Sequence, residues 1–147
     1  MVSVAGSVEI NRPTNQVFEF LANPENGPKW QSGLTESKLL TEGPVRVGSQ
    51  FKETVKFLGR PIELICEYVE VEPGRKMVFK SDNSKTLQFD LTFLVEPGQA
   101  GASRVTVSGH SHVSGLLRLL EPLFAGEVKS ASRKELQQLK AALEGAG

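Results

Sequence analysis

The chain has one cysteine, one tryptophan, one tyrosine and two histidines, no surplus of either charge, and no long apolar run. Each shortage removes a class of protein. With Cys66 alone, an internal disulfide and a cysteine-rich metal cluster are excluded, which fits a reducing compartment. Seventeen Lys and Arg balance seventeen Asp and Glu, so no whole-molecule field draws the protein to nucleic acid or an anionic membrane. No apolar stretch approaches the ~20 residues of a membrane span, and the opening MVSVAGSVEI lacks the basic-then-apolar order of a signal peptide. The expectation is a cytoplasmic protein with no nucleic-acid partner and no membrane span. At 147 residues it has the length of one domain, enough to bury roughly 70% of the unfolded chain's surface. No linker, repeat or low-complexity stretch divides it, so residues 1–147 read as a single domain.

What is present is alternation. Val4, Val8 and Ile10 alternate with small or polar residues over Val2 to Ile10, the pattern of a half-buried strand. Pro13 and Thr14 then open a short helix carrying Val17, Phe18, Phe20 and Leu21 on one side, and Asn23 and Pro24 cap another that Gly27 and Pro28 end or distort before Trp30. From there turn residues punctuate the chain at Glu42-Gly43-Pro44, Gly59-Arg60-Pro61, Pro73-Gly74, Ser81-Asp82-Asn83 and Pro97-Gly98. The segments between them predict strands over Glu36 to Thr41, Ser49 to Leu58, Ile62 to Glu72, Lys76 to Lys80, Thr86 to Val95 and Ser103 to Val113. With the opening strand that makes seven, and connections so short join antiparallel neighbours. Ile62 to Val71 alternates poorly, which predicts a bulge near Cys66 to Tyr68.

After Gly115 the period becomes helical, with Leu117, Leu120, Phe124, Val128, Ser132, Leu136, Leu139 and Leu143 in one stripe. An unbroken helix over 114–144 would run ~45 Å, so Pro122 is expected to kink it or to begin a new one. The apolar face of a curved sheet has only this helix large enough to cover it, which gives a two-layer α+β fold. Along the stripe the residues are large at Leu117, Leu120 and Phe124, small at Gly126, Ser130, Ala131 and Ser132, and large again from Leu136. The bulky Phe51, Phe57, Phe79, Phe89 and Phe93 face it from the sheet, and these residues fill a core as readily as they line a hollow.

The run VEINRPTNQVFEFLANPENGPKW, followed by GPVRVGSQF, EVEPGRKMVF and the terminal LLEPLFAGEVKSASRKELQQLKAALE, resembles the polyketide cyclase/dehydrase branch of the START-like (SRPBCC) helix-grip superfamily. The resemblance spans nearly the whole chain. It implies a helix-grip fold, in which a seven-stranded antiparallel curved sheet surrounds a long C-terminal helix and two short helices lie between the first and second strands. It also implies a deep cavity that binds a hydrophobic or amphipathic small molecule: lipid-like, polyketide or other aromatic. The superfamily has no universal catalytic motif, and one scaffold serves many tasks. The expected wall of the cavity is Trp30, Phe51, Phe57, Phe79, Phe89, Leu91, Leu120, Phe124 and Val128, with no cofactor.

Glu53 is in phase with Phe51, Val55 and Phe57, so a regular strand aims its carboxylate into the apolar layer, where an unpaired charge is very costly. With a raised pKa it would serve as a general base beside a carbonyl. The structural alternative, which weighs more on the sequence alone, is a bulge that turns it outward or a pair with Arg60. Tyr68 either packs in the core or donates its hydroxyl to a ligand carbonyl. His110 and His112 share one face of the last strand, but no third ligand has partner spacing, so a solvent-facing pair rather than a metal site is expected unless Gly109 marks a bulge. Lys129, Arg133 and Lys140 lie on one side of the terminal helix, a solvated face whose charge Glu135 and Glu144 dilute. No GxSxG elbow is present, and GPVRVG lacks both the GK[ST] and the following helix of a phosphate loop.

Three functions fit these residues. The first is a binding or carrier protein with an apolar ligand in the cavity. The second is a cyclase or dehydratase with Glu53 and Tyr68 as its acid/base pair, and the third a regulator whose ligand alters a protein-binding surface. Ligand identity and oligomeric state, monomer or homodimer, stay open.

Overall fold

The computed structural model describes residues 2–31, 34–57, 59–81, 87–113 and 121–145; the side chains of 121–132 and of Val2, Val4, Phe57, Leu87, His112 and Val113 lie outside that description. Strand β1 (Val2–Ile10) leads into helix α1 (Thr14–Leu21) and a 3₁₀ helix (Pro24–Lys29). Pro13 caps α1, and the Asn23 side chain accepts from the Glu25 N–H to start the 3₁₀ helix, so both short helices begin on the residues that signal them. The remaining strands are β2 (Leu34–Leu39), β3 (Gln50–Phe57), β4 (Arg60–Glu72), β5 (Lys76–Ser81), β6 (Leu87–Pro97) and β7 (Ser103–Val113), and helix α2 (Glu121–Gly145) follows. Helix α2 is described from Glu121, so the expected kink or start at Pro122 adjoins residues outside the description.

Seven strands form one antiparallel sheet in the order β1-β7-β6-β5-β4-β3-β2. Strands β2 to β7 are a meander of hairpins; β1 lies beside β7, so α1 and the 3₁₀ helix carry the chain from one edge of the sheet to the other. The sheet curls into a half-barrel with α2 as its terminal helix, and Leu136, Leu139 and Leu143 are buried. Ile10, Val17, Leu64, Met77, Val95 and Val105 complete the densest part of the core.

The irregular strand behaves as its alternation predicts, with one adjustment. The β4–β5 register shifts between Tyr68 and Glu70, just beyond the expected stretch. Leu64, Cys66 and Tyr68 are buried, Val69 is exposed, and Val71 returns to the packed face. The extra residue lets one strand place two apolar phases on the same side.

Among the described residues no helix is long and apolar enough to cross a membrane.

Candidate functional site

Strand register sets the side chains of the concave face in rows. Ser37 on β2 lies opposite Glu53 on β3, which lies opposite Leu64 on β4. The next row is Leu39, Phe51, Cys66 and Ser81, and beyond it stand Tyr68, Phe79, Leu91 and Gly109. The β2–β3 connection folds over this end of the sheet: the Gly48 N–H donates to the Tyr68 carbonyl and the Tyr68 N–H donates to the Ser49 carbonyl. That pairing fixes the backbone of Tyr68 just before the bulge.

Glu53 follows its strand's phase into the interior and is only 4% exposed. Neither outward alternative holds. The β3–β4 register is unbroken from Gln50 to Phe57, and Arg60 is exposed at the far end of the hairpin, opposite Phe57. Burial pushes the Glu53 carboxyl from an ordinary 4.5 up to about 7; the Cys66 thiol, 3.6 Å from Oε1, holds it down somewhat, and the charge of Glu135 on α2 raises it again. A group poised there exchanges its proton at neutral pH, as a general acid or base must.

Tyr68 is 1% exposed, its ring 5.2 Å from Phe51 and 5.6 Å from Phe79 between centroids. Burial lifts its phenol above the ordinary range, with the charge of Glu53 adding to the effect, so it keeps its proton and stays a donor. Glu53, Tyr68 and Ser37 line one pocket beneath the 3₁₀ helix, with Trp30, Phe51, Phe79 and Phe93. Trp30 closes the helix side, tilted against Phe93 at 5.7 Å. Ser37 Oγ is buried without a hydrogen-bond partner among the described residues, an orphan acceptor and donor in an aromatic setting.

The pocket has a cavity volume of about 20 Å³, room for about one water. The deep cavity implied by the sequence resemblance is therefore not enclosed by the described side chains at this end. Of the expected wall, Trp30, Phe51 and Phe79 line the pocket; Phe89 and Leu91 stand half-buried on the same face without reaching it. Leu120 lies outside the described residues, and so do the side chains of Phe57, Phe124 and Val128.

His110 faces outward, 3.3 Å from Asp90 on β6, and the register through Gly109 is regular. Among the described residues no group of three potential metal ligands forms. The reading of Glu135 as a diluting surface charge is corrected: it approaches Glu53 closely enough to repel its ionised form. Sequence reasoning also missed Ser37, Asn23 and Gln31, which line the pocket. Only Ser37 carried a signal, standing two residues before Leu39 in the same phase.

Residues 1–144 match the family described as "Polyketide cyclase / dehydrase and lipid transport". Among curated proteins no sequence matches. The fold is similar to that of a START superfamily protein from Mycobacterium smegmatis, with a TM-score of 0.81 at 13% identity over 99% of each chain. It is also similar to the di-domain ARO/CYC BexL of the BE-7585A biosynthetic pathway, with a TM-score of 0.73 at 18% identity over 98% of this chain and 47% of that one. A conserved protein from Geobacillus kaustophilus has a TM-score of 0.75 at 14% identity, over 99% of this chain and 97% of its own. At these identities the structures share the fold.

Proposed function

Because the chain belongs to the polyketide cyclase/dehydrase and lipid transport family, we propose that it binds a hydrophobic or amphipathic small molecule between the sheet and α2, with the ligand's polar end at Glu53. The observation that carries this reading is the juxtaposition in one aromatic pocket of a buried carboxyl, a buried phenol and a buried hydroxyl without a partner among the described residues. A fold without a ligand to satisfy gains nothing from that arrangement: an apolar residue at Glu53 or Ser37 would be more stable. The apolar part of the ligand is assigned to the phenylalanine floor, where Phe79 touches Phe51, Phe89 and Phe93 edge-on. Since the enclosed space is water-sized, entry requires the 3₁₀ helix or α2 to move from the sheet.

Native mass spectrometry of protein purified from its own cells tests the reading, with Trp30 emission as a second readout. A retained apolar molecule, and weaker retention by Phe89→Trp, supports it. A bare chain whose Trp30 emission no apolar compound shifts overturns it.

A second reading rests on the same pair of groups. With its carboxyl near neutrality, Glu53 takes a proton from the carbon beside a ligand carbonyl, while the Tyr68 phenol hydrogen-bonds the enolate oxygen that forms; Glu53 then gives that proton either to the far carbon of a conjugated enolate, which isomerises the ligand, or to a departing β-hydroxyl, which leaves as water, and in both cases recovers its carboxylate. Deuterium exchange at the α-carbon of an aryl ketone, followed by NMR, tests it. Exchange that Glu53→Gln leaves unchanged excludes this chemistry without touching the binding reading.

A further inference from the structure

The ionisable groups that reach the pocket are acids. Among the described residues that line it, Glu53 supplies a carboxyl and Tyr68 a phenol, and no Lys, Arg or His takes part. Glu135 brings a second negative charge from α2. Ser37, directly opposite Glu53 across the β2–β3 ladder, is 8% exposed, and its Oγ lacks a partner among the described residues. Around these stand the rings of Trp30, Phe51, Tyr68, Phe79 and Phe93, whose faces carry partial negative charge. Carboxylate oxygen and ring face attract a positively charged N–H donor and disfavour an anion, and the Ser37 hydroxyl has a lone pair that accepts from the same donor. The enclosed 20 Å³ is the size of a water molecule, hence of an ammonium group, and smaller than a carboxylate or phosphate needs.

Resting on the ligand-binding reading above, we infer that the pocket receives the protonated amine head of an amphipathic ligand, with Glu53 and Ser37 as its hydrogen-bond acceptors and the Trp30 and Phe51 rings against its charge. Cys66 occupies Glu53 Oε1 from β4, so the ammonium pairs at Oε2. Among the described residues, the groups that face Glu53 are Ser37 from β2, Cys66 and Tyr68 from β4, and Glu135 from α2. None of these four is a cation. A long-chain acid is refused by the same set, because its carboxylate would meet two others.

Three probes of equal chain length separate head group from tail: octylamine, octanol and octanoate, titrated by calorimetry and by Trp30 emission at about pH 8, one unit above the Glu53 midpoint. Octylamine is expected to bind at least about tenfold tighter than octanol, with octanoate weakest. Glu53→Gln, which keeps the shape and removes the charge, reduces the amine's advantage to about twofold, and Glu135→Gln reduces it partly. Equal binding of the three, preference for octanoate, or an amine preference that survives Glu53→Gln overturns the head-group assignment while ligand binding itself stands. Binding of none of the three, by either readout, overturns both.

Discussion

The Cys66 sulfur lies 3.6 Å from Glu53 Oε1, a diagonal contact between neighbouring rows of the β3–β4 ladder, and both residues are buried. Phe51 stands opposite Cys66 and Leu64 opposite Glu53, so the thiol reaches the carboxyl along the face rather than straight across. A thiol is a weak donor. It lowers the cost of the ion without removing it, and the carboxyl stays protonated up to about pH 7.

Stability should therefore fall as the pH rises from about 4.5 to about 7. In the unfolded chain Glu53 titrates near 4.5 and in the folded protein near 7. The folded state thus holds a proton that the unfolded state has lost, and the stability present below pH 4.5 drains away until the folded group ionises as well. The total is about 3 kcal/mol between those limits, level above them. Urea unfolding of Glu53→Gln from pH 4 to 9, compared with the parent, isolates this contribution. The variant should show a flatter profile and greater stability at high pH; identical slopes would place the proton elsewhere.

Two glycines on adjacent strands separate a hard constraint from a soft one. At Gly109, between β1 and β6, a methyl would run into the Asp90 carbonyl oxygen and the end of Leu91, and backbone does not yield. Gly109→Ala should cost about 3 kcal/mol or leave the chain insoluble. At Gly6 the added carbon meets only the tip of Leu136, 2.8 Å away, which can turn aside. Gly6→Ala should cost about 1 kcal/mol and loosen the contact between β1 and α2. Urea denaturation of the two variants ranks them, and equal losses would mean that Leu136 is held as firmly as the sheet.

The sheet is legible in the sequence because its breaks carry Pro and Gly and because β6 and β7 alternate cleanly. Gly43, Gly59 and Gly74 adopt positive φ at three of the expected turns. The site was legible only in part. Phase alone pointed Glu53 inward, but the general cost of a buried carboxyl favoured a bulge or an arginine, and no periodicity reveals that Cys66 and a ring of aromatics would accept it. Ser37 escaped because the β2–β3 register slips between Leu34 and Glu36, so a six-residue edge strand shows almost no alternation. Glu135 escaped because it borders the stripe of Leu136, Leu139 and Leu143, and a helix pattern does not say which border leans toward the sheet. Of the expected outward pair of histidines, His110 stands with its ring outward beside Asp90, and the side chain of His112 lies outside the described residues.

The end of α2 is tied to the turn after β1. Arg12 Nη2 donates to the Glu144 carbonyl, one of the last acceptors of the helix, while the Glu144 carboxylate accepts from the Asn11 N–H at 2.9 Å and from Lys140 at 2.6 Å. The Asn11 N–H, then Lys140, hold that carboxyl below its usual range, so the tie is intact above pH 4.5 and weakens on acidification. Arg12→Ala should expose helix carbonyls to water and speed amide exchange over residues 141–145 by about tenfold, leaving the strands unchanged. Uniform acceleration would mean global destabilisation instead.

Ser37→Ala should make the protein more stable and less able to hold its ligand. The hydroxyl is buried without a partner among the described residues, so its removal relieves a desolvation cost and leaves a methyl among Trp30, Leu34 and Phe51, with an expected gain of about 1 kcal/mol in urea. Tyr68→Phe is the companion: the phenyl ring keeps the contacts with Phe51 and Phe79. Stability should change by less than about 1 kcal/mol, because only a polar atom is exchanged for hydrogen. If both variants hold or gain stability while ligand retention in the mass spectrometer falls, the polar atoms are there for the ligand. Loss of stability in both would make them structural, satisfied by ordered water in the 20 Å³ between them.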